Sequence, residues 1–123
     1  MSNEITVTSR LRCVNGNLTE DRNPGQLSFD QAALGAHGPT HVIGTSEEDI
    51  ASGDIATLGW LYMRNLDPAN YVTWGPKTGG GDLLPIGRLK AGETALLRLE
   101  PGVTLRMQAN TAPCKVQFLF LDN

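Results

Sequence analysis

The sequence lacks the residue combinations from which most catalytic and metal sites are built. It contains no Gly-x-Ser-x-Gly motif and no pattern that would bring Ser, His and Asp or Cys and His together. His37 and His41 are the only histidines, and Gly38-Pro39 between them breaks the strand geometry that would aim both rings at one ion. We therefore expect no enzyme, no metal and no cofactor. A metal-dependent jelly-roll enzyme using the two histidines is the weakest alternative.

A phosphate-binding loop is also missing, although Lys77-Thr78-Gly79-Gly80-Gly81 has a similar composition. A P-loop requires GxxxxGK[ST] between a strand and a helix. Here the lysine precedes the glycines, and no helix is predicted after them. We predict a flexible hairpin loop that can reorder on a partner.

Cysteine is scarce, and neither cysteine lies in a CxxC motif. The start MSNEITVTSR lacks the basic and then apolar stretches of a secretory signal, so a reducing compartment is expected. Cys13 and Cys114 are accordingly predicted to be free thiols that act as small core residues. A bridge between them would require Cα atoms within about 7 Å. No run approaches the roughly 18 apolar residues of a membrane span.

Basic residues are few and scattered. The formal net charge is −3, with Lys and Arg contributing 10 residues and Asp and Glu 13. Nucleic-acid binders show clustered Lys and Arg and a high pI, so this class is excluded. The acidic run Glu47-Glu48-Asp49 is either a partner-facing patch or a solvated loop, and composition favours the loop.

What the chain does contain is a series of short apolar runs between turn residues over 58–123. The separators 67–70, 76–82, 90–93, 100–102 and 110–113 are rich in Pro, Gly, Asn and Asp. The runs are LGWLYMRNL, YVTWG, LLPIGRL, TALLRL, VTLRMQA and CKVQFLFL. This spacing leaves no room for crossover helices and indicates a sandwich or barrel.

The chain length of 123 residues is that of one domain. We predict a single all-β domain over 1–123, a jelly-roll-like β-sandwich of eight or nine short strands. At most one or two helical turns are expected, beginning with Thr45 or Ser46 as N-cap. Residues 4–14 alternate as one half-buried strand, and Asn15-Gly16-Asn17 after them predicts a tight turn.

The last apolar run predicts a strand with two apolar faces. Val116, Phe118 and Phe120 have one parity. Leu119 and Leu121 have the other parity, which they share with Lys115 and Gln117. A strand end that is apolar on both sides is either deeply buried or covered by a partner subunit.

Four aromatic residues, Trp60, Tyr62, Tyr71 and Trp74, lie within fifteen positions on two predicted strands. Exposed rings of this kind bind sugars by stacking in carbohydrate-binding modules. In the other interpretation Trp60 fills the core and Tyr71 or Trp74 packs across the hairpin. The pattern favours this second interpretation and keeps the sugar site as the alternative.

Five short segments of the chain carry a further signal: the NGN turn, the GTSEE loop (44–48), MRNLD-x-x-NYV (63–72), G-x-LKAGE (87–93), and R-x-x-PG followed by QAN (98–110). Together they resemble small virion proteins of tailed bacteriophages. The resemblance implies a non-enzymatic structural role as a capsid decoration protein or a small head or tail component. It brings no catalytic residues with it.

This resemblance also implies partners and a location. We expect the major capsid protein as partner, a homo-oligomer, and a virion assembled in the cytoplasm of a host bacterium. We expect no nucleic acid and no membrane to be bound. The candidate contact residues are Ser2, Asn3, Glu4, Ile5, Glu47, Glu48, Asp49, Gly79, Gly80, Gly81, Asp82, Leu119 and Leu121.

Overall fold

The computed structural model describes residues 3–123, and these residues form two compact units. The N-terminal unit ends at Ala33, and the C-terminal unit is Leu34–Asn123. Ser2, one of the predicted partner contacts, lies outside the described residues. The predicted all-β class is confirmed, because 3–123 contain strands and no helix. No helix able to cross a membrane is therefore found in this range.

The N-terminal unit contains two antiparallel strand pairs. Its strands are β1 (Ile5–Thr8), β2 (Leu11–Asn15), β3 (Leu18–Arg22) and β4 (Gln26–Phe29). Strand β1 pairs with β4, and β2 pairs with β3. The predicted NGN turn joins β2 to β3, with Gly16 at φ 58° as the first residue of a two-residue loop. The single strand predicted over 4–14 is wrong, because residues 9 and 10 separate β1 from β2.

The C-terminal unit contains two larger sheets. The strands are β5 (Ala36–His37), β6 (Thr40–Ile43), β7 (Glu48–Asp49), β8 (Leu58–Asn65), β9 (Val72–Pro76), β10 (Gly87–Leu89), β11 (Thr94–Arg98), β12 (Leu105–Ala109) and β13 (Cys114–Asp122). The five-stranded sheet has the order β11–β8–β13–β5, and β6 also pairs with β13. The four-stranded sheet has the order β10–β9–β12–β7. The count of eight or nine strands was too low, since the described residues form thirteen.

Both of these sheets contribute to one apolar core, which gives the unit its sandwich character. The five-stranded sheet supplies residues such as Leu61, Met63 and Phe118, and the four-stranded sheet supplies Val72 and Met107. All five are at most 1 % exposed. Strand β13 alternates strictly between buried and more exposed positions. The β-sandwich prediction agrees with this architecture, while the jelly-roll arrangement stays a prediction.

Two local predictions were wrong. The segment predicted to start a helical turn at residue 45 instead forms β7, because Glu48 and Asp49 pair with β12. The N–H of Ile50 continues this pairing by donating to the carbonyl of Leu105 at 2.8 Å. Cys13 is not a core residue: both cysteines are free thiols, but only Cys114 is buried.

Candidate interaction surface

The side of the five-stranded sheet that faces away from the core exposes several large apolar residues, among them Val42, Leu96 and Leu119. We call this surface the outer face and define it by the outward positions of four neighbouring strands. Their inward neighbours, such as Leu61 and Phe118, lie in the core. The outer face consists of Thr94, Leu96 and Arg98 of β11, Trp60, Tyr62 and Arg64 of β8, Lys115, Gln117, Leu119 and Leu121 of β13, and Thr40 and Val42 of β6.

An apolar row crosses the middle of the outer face. Strand register places Leu96 beside Tyr62, and Tyr62 beside Leu119. Leu96 and Leu119 are 39 % and 40 % exposed, and Val42 at the β6 side is 58 % exposed. The predicted partner contacts Leu119 and Leu121 both lie on this face, with Leu121 half-buried. The sequence predicted an apolar second face of β13, and the structure extends that face over three strands.

The outer face carries only positive charge. Arg64, Arg98 and Lys115 lie on it, and none of its positions is an acid. Arg64 and Lys115 are exposed and form no salt bridge within residues 3–123. The Arg98 guanidinium lies 5.1 Å from the Trp60 ring centroid and donates to Asn123 Oδ1 at 3.0 Å. A partner surface complementary to this face is therefore apolar and acidic.

The four aromatic residues do not form one platform. Trp60 and Tyr62 lie on the outer face, both half-buried. Trp74 packs against the core, where a Cβ on Gly87 would overlap its indole ring. Tyr71 lies under the Arg88 guanidinium, 4.0 Å from its ring centroid. The preference for Trp60 as the core aromatic was wrong: Trp74 has that place, because β9 directs it to the same side as buried Val72.

The first two acids of the predicted acidic patch have partners within the C-terminal unit. Glu47 Oε1 accepts the N–H of Leu83 at 2.7 Å. Glu48 Oε1 lies 2.7 Å from His41 Nε2, and its Oε2 accepts the N–H of Gly44 at 3.0 Å. Both side chains thus connect loops of the sandwich, and their assignment as partner contacts stays a prediction.

The third acid, Asp49, joins an ion-paired cluster on the four-stranded sheet. Its carboxylate accepts from Lys77 Nζ at 3.1 Å and from Arg106 Nη1 at 2.5 Å. Arg106 is well covered, with a side chain that is 15 % exposed. The hydrogen bond from Lys77, aided by Arg106, lowers the pKa of Asp49 below its usual value. The four-stranded sheet therefore presents paired charges, whereas the five-stranded sheet presents apolar groups together with Arg64 and Lys115, which form no salt bridge within the described residues.

The predicted flexible glycine loop is a hydrogen-bonded turn. Lys77 and Leu83 form an isolated β-bridge at its base. The N–H of Thr78 donates to the carbonyl of Asp82 at 2.7 Å, and Thr78 Oγ1 accepts the N–H of Asp82 at 3.1 Å. Gly81 has φ 92°, where residues with side chains are disfavoured. Gly79, Gly80 and Asp82 are exposed at its tip.

The N-terminal candidates differ in exposure. Asn3 and Glu4 are exposed, and each forms a hydrogen bond with the end of the N-terminal unit. The N–H of Asn3 donates to the Asp30 carboxylate, and the Glu4 carboxylate accepts from the N–H of Gln31. Ile5 is buried. The β2–β3 hairpin was not among the predicted contacts, although every residue from 11 to 22 is exposed, including Leu11 at 76 %.

The histidines are not brought together as a metal site. His41 contacts Glu48, whereas His37 stacks on Phe120 with 6.4 Å between ring centroids. Within residues 3–123, no group of three or more His, Cys, Asp or Glu side chains could hold an ion.

A surface cavity of about 340 Å³ is lined mainly by apolar residues, and its ionisable residue Asp49 is already ion-paired.

Comparison of the chain with protein-family models, with curated proteins and with solved structures found no match. The outer-face residues Leu96, Arg64 and Lys115 were not among the predicted contacts. Strand parity could have indicated Leu96, which shares its parity with Thr94 and Arg98, and Lys115, which shares its parity with Gln117.

Proposed function

We propose that this protein is a non-enzymatic structural component of a bacteriophage virion, a capsid decoration protein that docks on the major capsid protein. The outer face carries this proposal. A solvated sheet face normally presents polar residues, whereas here an apolar row lies among cations. Docking would remove Leu96, Leu119 and Val42 from water and bring Arg64 and Lys115 near acidic groups. The jelly-roll-like topology and the homo-oligomer belong to the same proposal.

Two further observations support a docking protein. The resemblance in the 44–48, 63–72 and 87–93 segments is to small virion proteins. The β2–β3 hairpin exposes both of its faces, and an isolated two-stranded hairpin is marginally stable in water. A partner surface that covers this hairpin would stabilise it. Assembly in the cytoplasm of the host bacterium agrees with two free thiols.

Particles purified from a lysate of the encoding phage provide the test. Mass spectrometry should find this polypeptide in fixed proportion to the major capsid protein. Particles without the polypeptide would refute the proposal.

The docking surface is tested by charge reversal. Lys115→Glu and Arg64→Glu should each lower particle occupancy, because a carboxylate would then face an acidic partner. Lys90→Glu is the matched control: it makes the same charge change at an exposed residue off the outer face, just after β10. Equal occupancy for Lys115→Glu and Lys90→Glu would remove the outer face as the docking surface.

A carbohydrate-binding module of a phage tail is the second candidate function. It is favoured by one observation, the placement of Trp60 and Tyr62 on the same outer face of β8. A glycan array would test it, with Trp60→Ala expected to abolish any signal. Binding that is unchanged in Trp60→Ala but lost in Trp74→Ala would argue against this placement.

A further inference from the structure

We propose that the free edge of β11 pairs antiparallel with β11 of a second copy of the chain, centred on Leu96, and so forms a symmetric dimer. The inference assigns a surface to the homo-oligomer named above, but it depends on edge geometry alone. The dimer could therefore form whether or not the protein belongs to a virion.

Strand β11 is an edge strand without the usual protection against pairing. It is the terminal strand of the five-stranded sheet, and within residues 3–123 it pairs with β8 alone. Its sequence TALLR contains no proline and no lysine, and its register with β8 is continuous. Natural edge strands are commonly shortened, bulged, covered or interrupted by Lys or Pro. An unprotected edge of this kind is a template for another strand.

The other sheet edges in the C-terminal unit are less suitable. Strand β10 has only three residues. Strand β7 has two residues, and both residues are acidic. At the far side of the five-stranded sheet, β5 and β6 are separated by Gly38-Pro39. With five residues, β11 is the longest continuous edge strand of the two larger sheets.

Hydrogen-bond parity shows which backbone groups of β11 point away from β8. The carbonyl of Glu93 accepts from Asn65, and the N–H of Leu99 donates to Gly59, so the odd-numbered residues bond toward β8. In an antiparallel pair, the residues between them direct their N–H and C=O groups the other way. The even-numbered residues Thr94, Leu96 and Arg98 therefore direct their backbone groups to the side of β11 that lies away from β8.

A two-fold pairing centred on Leu96 uses all of these groups. Leu96 then faces Leu96 of the second copy, and Thr94 of each copy faces Arg98 of the other. Each of the three facing pairs would exchange two N–H···O bonds. A pairing centred on Arg98 would instead place two guanidinium groups opposite each other, which is destabilising. The strand is thus self-complementary in one register, as an isologous interface requires.

The side chains agree with this register. Leu96 is exposed on the outer face, and its counterpart would lie beside it as a cross-strand neighbour. The apolar row Leu119–Tyr62–Leu96 would then continue into the row of the second copy across a joined ten-stranded sheet. The pairing thus brings the two exposed leucines into contact and removes part of each side chain from water.

Sedimentation equilibrium of the full chain tests the dimer, with a concentration-dependent dimer expected. Leu96→Pro should raise the dissociation constant at least about tenfold, because it removes the central pair of donors. Its own sheet should tolerate this change, since the Leu96 N–H does not bond to β8. Leu96→Lys should have a similar effect by placing two ammonium groups side by side. Leu119→Lys is the control, with the same change on the same face away from the edge.

Amide hydrogen exchange by NMR gives a second readout that does not need a variant. In the dimer, the amides of Thr94, Leu96 and Arg98 should be protected, and dilution should remove that protection. The amides of Ala95 and Leu97 should stay protected at every concentration. A chain that is monomeric up to millimolar concentration, or a dimer with rapid exchange at the three even positions, would overturn the proposal. Equal dissociation constants for Leu96→Lys and Leu119→Lys would overturn it as well.

Discussion

Gly75 is the position in β9 at which one added methyl group should be most disruptive. A Cβ at this residue would overlap the carbonyl oxygen of Leu84 and would lie 3.2 Å from the Ile86 nitrogen. These are backbone atoms, which cannot turn aside as a side chain can. The segment 84–86 would have to move away from β9 by on the order of 1 Å to restore ordinary contact distances.

This displacement determines the size of the effect of Gly75→Ala. It would break two backbone hydrogen bonds, from Leu84 to the Pro76 carbonyl at 2.9 Å and from Ile86 to the Trp74 carbonyl at 3.0 Å. At about 1 kcal/mol for each bond, together with added exposure of the underlying sheet, the loss is about 2–4 kcal/mol of unfolding free energy. The midpoint of thermal unfolding should fall by roughly 10 °C or more.

Urea unfolding followed by tryptophan fluorescence measures this loss, and Gly79→Ala is the control. A Cβ on Gly79 would meet no atom within 4 Å, so that variant should be within about 0.5 kcal/mol of the parent chain. If Gly75→Ala and Gly79→Ala unfold at the same urea concentration, the close approach of segment 84–86 to β9 is wrong.

Three further predictions concern thiols, acid stability and the core. A thiol reagent should modify Cys13 alone in the native protein and both cysteines in denaturant, because Cys114 is buried and burial raises its pKa. Rapid modification of both thiols in the native protein would contradict this. Backbone N–H groups of Asn70 and Ala69 donate to the Asp67 carboxylate and lower its pKa. The ionised carboxylate therefore stabilises the fold fully above the pKa that Asp67 has in the unfolded chain, about 3.9, and this stabilisation is lost as the pH falls through the lower pKa of the folded state. As the pH is lowered, the midpoint of thermal unfolding should therefore fall less steeply for Asp67→Asn than for the parent chain. Parallel plots of midpoint against pH would contradict this. Phe118→Ala should cost about 3–5 kcal/mol in urea unfolding, and a loss below about 1 kcal/mol would place this ring outside the core.

Alternation and turn residues were sufficient to predict the β class and most strands of the second half. Strand β13 shows why: Val116, Phe118 and Phe120 share one parity, and all three are buried. The Asn15-Gly16 turn was likewise predictable, because few residues other than glycine accept its positive φ. Such features depend on residues near one another in the sequence.

Features that depend on distant residues were not predictable. In β8 both parities are apolar, so the sequence alone could not decide whether Trp60 or Trp74 faces the core. Asp49 looked like part of a solvated loop, since its partners lie 28 and 57 residues further along the chain. The outer face required the pairing of β11, β8 and β13, which periodicity alone does not specify.

Site-specific photocrosslinking from the outer face tests the central claim most directly. A benzophenone maleimide would be attached at Leu119→Cys in a Cys13→Ser background, where Cys114 is shielded by burial. Gly79→Cys in the same background is the control, at an exposed loop tip off the outer face. On capsid particles, position 119 should crosslink to an acidic surface of the major capsid protein, and position 79 should give few crosslinks. Crosslinks from position 79 alone, or none to the capsid protein from position 119, would contradict the claim.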